Sequence, residues 1–191
     1  MKTINDLPLA QLPVKYKKLS PEARLMPPAQ KYDAGHDIGF VETGQNGKKS
    51  GHIDEFGNKV YYTGIALEIG YIDKLAELGL VPHAFAFLKS GVYKVCLALT
   101  NGVGVVDFGH RGEIVFKFKP ALLFSNLKRY GINILRPWFP SEQFLNIKDW
   151  VGQLVFMPAF NTELTESIEL TETDRGSKGY GDATKERDGM V

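Results

Sequence analysis

The chain has 191 residues, 43% of them hydrophobic and 24% charged, values typical of a soluble globular protein large enough to bury a core. Its 23 Lys and Arg nearly cancel 22 Asp and Glu, which excludes a global field that would recruit nucleic acid or an anionic membrane. No apolar run reaches the length of a membrane span, the start MKTINDLPLAQLPV lacks a signal-peptide core, and the single Cys96 cannot close an intrachain disulfide, a pattern that reads as cytoplasmic.

In chain order, residues 1–13 read as an N-terminal extension carrying Pro8 and Pro13. From Val14 the chain becomes a series of short β-type runs punctuated by Gly and Pro: VKYKKL, DIGFVE, KVYYTGIALEIG, HAFAFLK, YKVCLALT, GVGVVD, EIVFKFKPALLF, GINIL, FLNI and GQLVFMPAF. Such spacing predicts an all-β sandwich, barrel or jelly roll over 14–160. One short helix is expected in YIDKLAELGL, with Ile72, Leu75, Ala76 and Leu78 near one face and Gly79 at its end. The polar, glycine-rich 43–59 reads as an inserted surface loop or hairpin, and 124–143, which mixes apolar and basic residues with two prolines, as a second insertion. Cys96, inside an apolar run, reads as a small buried hydrophobe. The last segment, 161–191, begins acidic and ends in RGSKGYGDATKERDGMV, a composition that packs no core. An arginine and an aromatic among those glycines point to an arm that closes over something.

The stretch LTNGVGVVDFGHRGEI, Leu99 to Ile114, carries the most chemistry. Gly102, Gly104 and Gly109 bracket Val105, Val106 and a buried-looking Asp107, which leaves the backbone free to turn and to approach a partner closely. Two readings follow from the residues alone. One is a β-hairpin with a polar tip; the other is a pocket that grips a flat polar ligand with backbone groups and offers it one carboxylate.

Five ordered pieces decide how that stretch is read: AGHDI (34–38), LKSGV (88–92), NGVGVVDFGHRGEI (101–114), GQLVF (152–156) and RGSKGYGDAT (175–184). Together they resemble the five motifs of the trimeric dUTPase family, and the connecting segments match as well, so that the likeness covers most of 14–184. It implies a distorted jelly-roll β-barrel with a flexible C-terminal arm that carries motif five. The implied activity is hydrolysis of dUTP to dUMP and pyrophosphate with Mg²⁺, in a homotrimer with arm exchange between subunits.

The resemblance also assigns roles. Asp107 matches the motif-three aspartate that activates the attacking water, and Asp37 the motif-one aspartate near the metal, acting through coordinated water. Asn101 and Gly104 would receive the uracil edge, with backbone donors and acceptors that favour uracil over cytosine. Lys89, Ser90 and Gly91 would hold the phosphate chain, and Gln153 would contact phosphate or its water. On the arm, Arg175 would grip the terminal phosphate and Tyr180, beside Gly179, would stack over the base.

Several positions depart from the family pattern. Lys89 stands where arginine is usual and keeps the charge without the bidentate fork. His110 replaces the sugar-discriminating tyrosine, Tyr180 a phenylalanine, and Asp182 and Ala183 the usual Ser-Thr. These changes leave two alternatives open: altered pyrimidine nucleotide specificity, or a non-catalytic nucleotide-binding regulator acting through protein partners. The retained Asp107, Asp37, Ser90, Gln153 and Arg175 favour an active enzyme. His36, His52, His83 and His110 are scattered without zinc-site spacing, and the glutamate of the related dCTP deaminases has no counterpart. No stable nucleic-acid binding is expected, and LKRYGINILRPWF, within 124–143, is the candidate surface for a protein partner.

Overall fold

The computed structural model describes residues 11–89, 97–120 and 150–173. Among these described residues, ten strands and one short helix follow in order: β1 (Val14–Lys18), β2 (His36–Gly39), β3 (His52–Ile53), β4 (Lys59–Tyr62), β5 (Ile65–Ile69), α1 (Asp73–Glu77), β6 (Leu80–Leu88), β7 (Leu97–Leu99), β8 (Gly104–Val106), β9 (Val115–Pro120) and β10 (Trp150–Phe160). They form a two-stranded sheet β1-β5 and two four-stranded sheets, β2-β10-β6-β8 and β3-β4-β9-β7. Among the described residues the sheets do not close into a barrel. The runs GINIL and FLNI, the segment 124–143 read as an insertion, and Cys96 lie outside the described residues.

Period-two burial explains why these runs fold as they do. Along β9 and the residue before it, Ile114, Phe116 and Phe118 are buried while Val115 and Lys117 are exposed. Along β6, Pro82, Ala84 and Ala86 face inward, and the half-buried His83, Phe85 and Phe87 line the other face. The core is knitted by edge-on rings, Phe40 to Tyr61 at 4.9 Å and Tyr61 to Phe118 at 5.6 Å between centroids. Burial pushes the Tyr61 hydroxyl up to about 12. Gly152 makes room for this packing: a Cβ there would lie 2.3 Å from the Phe116 ring and 2.7 Å from the Phe87 carbonyl oxygen.

The run KVYYTGIALEIG is two strands, because Gly64, at φ +64°, turns the chain between β4 and β5. Residues 43–59 contain hairpin-like pairing: Thr43 bridges Lys49, and β3 pairs with β4 through His52–Val60 and Ile53–Lys59. The predicted helix forms but is only five residues long and buries none of them; Leu78 is 58% exposed. The apolar face expected there does not develop, because Ile72 is extended at the N-cap and so little helix cannot present a continuous stripe. The residues from Thr162 form a separate unit, and the described part, 162–173, is exposed and carries no helix or strand.

Candidate functional site

The glycine-rich stretch is not a hairpin between its flanking strands. β7 pairs with β9 in one sheet and β8 with β6 in the other, so the turn Thr100–Val103 carries the chain across the core. Gly102 supplies it with φ +68°, and the Gly102 and Val103 N–H groups donate to the carbonyls of Leu99 and Asn101. The crossing opens a cleft of about 220 Å³, lined by Ala86, Leu99, Asn101, Gly104, Phe116 and Lys117 among others. At Gly104 the wall is tight: a Cβ would lie 3.2 Å from the Ala86 Cβ and 3.6 Å from the Asn101 amide nitrogen. Asn101 and Gly104, two of the residues predicted to meet a base, therefore share one cleft.

Asp107 is not buried, as its apolar neighbours led one to expect; its side chain is 77% exposed. Val106 takes the inward position of β8, and alternation sends the next side chain to the outer face. There Asp107 Oδ1 faces His83 Nδ1 at 3.7 Å. The following turn is held by the His110 N–H donating to the Asp107 carbonyl at 2.9 Å and by Arg111, which donates to the carbonyls of Phe108 and His110. His110 is exposed and stands outside the cleft lining.

A second cluster gathers Asp37, Gln153 and Lys89. Gln153 sits directly opposite Asp37 in the β10–β2 register, and the Gln153 amide donates to the Leu88 carbonyl at 3.4 Å. Lys89 forms an ion pair with Asp37, each side chain about a third exposed. Gly35 leaves space for the amide, since a Cβ there would fall 2.2 Å from Gln153 Oε1. Trp150, which the sequence reading passed over, lies under two cations, Arg24 at 4.7 Å and Lys89 at 5.5 Å from its ring centroid. Ser90, Gly91, Arg175, Gly179, Tyr180, Asp182 and Ala183 lie outside the described residues.

Asp107 and Lys89 stand at opposite ends of β6. From Lys89 to His83, the residue facing Asp107, is six residues of extended chain, roughly 20 Å at strand rise. Between them the outer face of β8-β6-β10 carries Val105, Phe85, Phe87, Val155 and Met157, of which Val105 is 59% and Met157 36% exposed. Among the described residues no three His, Cys, Asp or Glu gather as a metal cage, and no helix is long and apolar enough to cross a membrane.

The fold superposes on those of solved dUTPases. The dUTPase of Staphylococcus bacteriophage 80alpha with dUpNHpp superposes with a TM-score of 0.59 at 20% identity, covering 90% of this chain and 98% of that one. The phage phi11 dUTPase of S. aureus, described with a structural Mg(II) ion, gives a TM-score of 0.52 at 21% identity over 82% of this chain and 97% of that one. The fold is thus the jelly-roll-like β fold of the dUTPases. No family model matches the chain. Curated sequences do: the deoxyuridine 5'-triphosphate nucleotidohydrolase of Desulfitobacterium hafniense is 36% identical over 122 residues, 62% of this chain. That match spans 63% of the relative's own length, a little under two thirds. The enzyme of the same name from Heliobacterium modesticaldum is 28% identical over 178 residues, 88% of this chain and 94% of that one. The chain is thus similar in sequence to dUTPases and shares their fold.

Proposed function

We propose that the protein hydrolyses dUTP to dUMP and pyrophosphate, in sites completed by a second and a third copy of the chain. The observation that carries this reading is the division of the site residues. Asp107 stands at one end of the outer sheet face, beside His83, and Lys89, Asp37 and Gln153 lie toward the other, with Gly104 opposite Ala86 nearer that second end. The exposed apolar residues between them are the surface another copy would cover. Packing that face in a closed ring would bring the Asp107 of one copy to the phosphate-binding end of the next.

In such a site the cleft takes the uracil edge, with Gly104 permitting close approach and Asn101 adding a side-chain amide. Lys89 supplies positive charge to the triphosphate, with Ser90, Gly91 and Gln153 along the phosphate chain and Arg175 and Tyr180 arriving on the arm. Water attacks the α-phosphorus, its proton passes to the Asp107 carboxylate, and the bond to the bridging oxygen breaks so that pyrophosphate leaves with the electron pair. The exposed carboxylate is free to turn toward the water and accept that proton. Asp37, about a third exposed, would hold Mg²⁺ through coordinated water once the triphosphate draws Lys89 away from their ion pair. When bound, the ion would offset charge on the triphosphate.

The test is pyrophosphate release with Mg²⁺ from dUTP, dCTP, dTTP, UTP and hydroxymethylated pyrimidine triphosphates, with Asp107→Asn alongside. Selective dUTP turnover that falls about a hundredfold or more in Asp107→Asn supports the reading. Turnover of a different nucleotide would assign the departures at His110 and Lys89 to altered specificity, and binding without turnover would make the chain a regulator. Sedimentation of the intact chain as a monomer under turnover conditions would overturn the shared site.

A further inference from the structure

We propose that His83 is a positioning residue for Asp107, a role that rests on the proposed hydrolysis. The register brings the two together: Ala84 pairs with Val106, so the next residues outward, His83 and Asp107, meet on the same face of the sheet. His83 Nδ1 is buried and has no hydrogen-bond partner, and it faces Asp107 Oδ1 at 3.7 Å. On its other side His83 pairs with Met157 of β10, which offers no charge and no hydrogen-bond donor.

A buried ring nitrogen without a partner is costly, whereas an exposed carboxylate turns about its side-chain torsions at little cost. A small rotation of Asp107 closes the gap to hydrogen-bonding distance. The pairing selects the tautomer with the proton on Nδ1, which donates to Oδ1. It leaves Oδ2 free to face the attacking water. The imidazole, seated in a central strand, thus limits the orientations of a side chain that otherwise sits at an open sheet edge. A base oriented by a third group is a recurring arrangement in hydrolytic sites. His83 itself touches neither substrate nor water and exchanges no proton in the step.

Three variants separate this role from simple packing. Asn at position 83 places an amide nitrogen near the position of Nδ1, Gln places it near Nε2, and Leu fills the space without a donor. The proposal expects His83→Leu and His83→Gln to lower kcat for dUTP by about tenfold to a hundredfold with KM within twofold. His83→Asn should recover most of the loss, and all three should keep the wild-type circular dichroism spectrum. Independently of turnover, the His83 imidazole ¹⁵N resonances should shift in Asp107→Asn. An active wild type whose His83→Leu variant has the same kcat, or whose ¹⁵N resonances ignore Asp107→Asn, would overturn this inference and leave the proposed function standing. A wild type that turns over no nucleotide would overturn the proposed function, and this role with it.

Discussion

Asp54 and Lys117 join the hairpin within residues 43–59 to the wall of the cleft. Asp54 Oδ2 accepts from Lys117 Nζ at 3.1 Å and from the Asn58 amide at 3.0 Å, and Oδ1 accepts from the Phe56 and Asn58 N–H groups. The buried Asn58 in turn accepts from the Thr100 hydroxyl at 3.3 Å. Lys117 and Thr100 both line the cleft, so a segment that reads in sequence as a surface loop or hairpin braces two of its residues.

That brace has a defined pH dependence. The Asn58 side-chain amide foremost, then the Asn58 N–H, Lys117 and the Phe56 N–H, hold the Asp54 carboxyl well below the usual carboxylate range. A depressed folded value means the stabilisation is full above the unfolded value of about 4 and is lost as the pH falls toward the folded value. Asp54→Asn is therefore expected to lower Tm at pH 7, with the difference from wild type shrinking below about pH 4. Thermal melts of both proteins across that range check it; a Tm difference that grows on acidification contradicts it.

Gly104→Ala tests the cleft. The new methyl would sit 3.2 Å from the Ala86 Cβ and 3.6 Å from the Asn101 amide nitrogen, so one wall must give by a few tenths of an ångström. KM for dUTP should rise by about tenfold, equivalent to about 1.4 kcal/mol of lost binding, with the fold retained. Steady-state kinetics beside a thermal melt separate the two effects.

Gly152→Ala should instead strike stability. Its methyl would collide with the Phe116 ring and with the Phe87 backbone oxygen, which cannot turn aside. A loss of about 1–3 kcal/mol, or more, is the cost of such overpacking, read as a lower denaturant midpoint at unchanged slope.

Ending the chain after Thr173 removes Arg175 and Tyr180 while leaving every residue of the core cluster in place. The truncated protein should melt within a few degrees of the full chain and turn over dUTP far more slowly, as expected of a closing arm. Unchanged turnover would remove the arm from the mechanism.

Much of this protein can be read without coordinates. The alternation in EIVFKFKP and HAFAFLK announces strands, because a half-buried sheet demands a period of two. The glycines of 101–104 mark a place where backbone must turn sharply and pack closely. Motif order likewise names Asp37, Asn101, Asp107 and Gln153 as residues to watch.

What the linear order could not contain is which strand lies beside which. The apolar setting of Asp107 in GVVDFG makes it look buried, yet the phase of β8 against β6 gives the inward position to Val106 and turns the carboxylate outward to His83. His83 was one of four scattered histidines until that register set it against Asp107. Lys89 and Asp37, 52 residues apart, become an ion pair only because β10 lies between β2 and β6 and brings both to one end of a sheet. Local propensity and side-chain period are properties of neighbouring residues, so the sequence alone determined the strands, the turns and the candidate residues. Strand order and register depend on how the whole core packs, and only the tertiary structure decided which candidates meet.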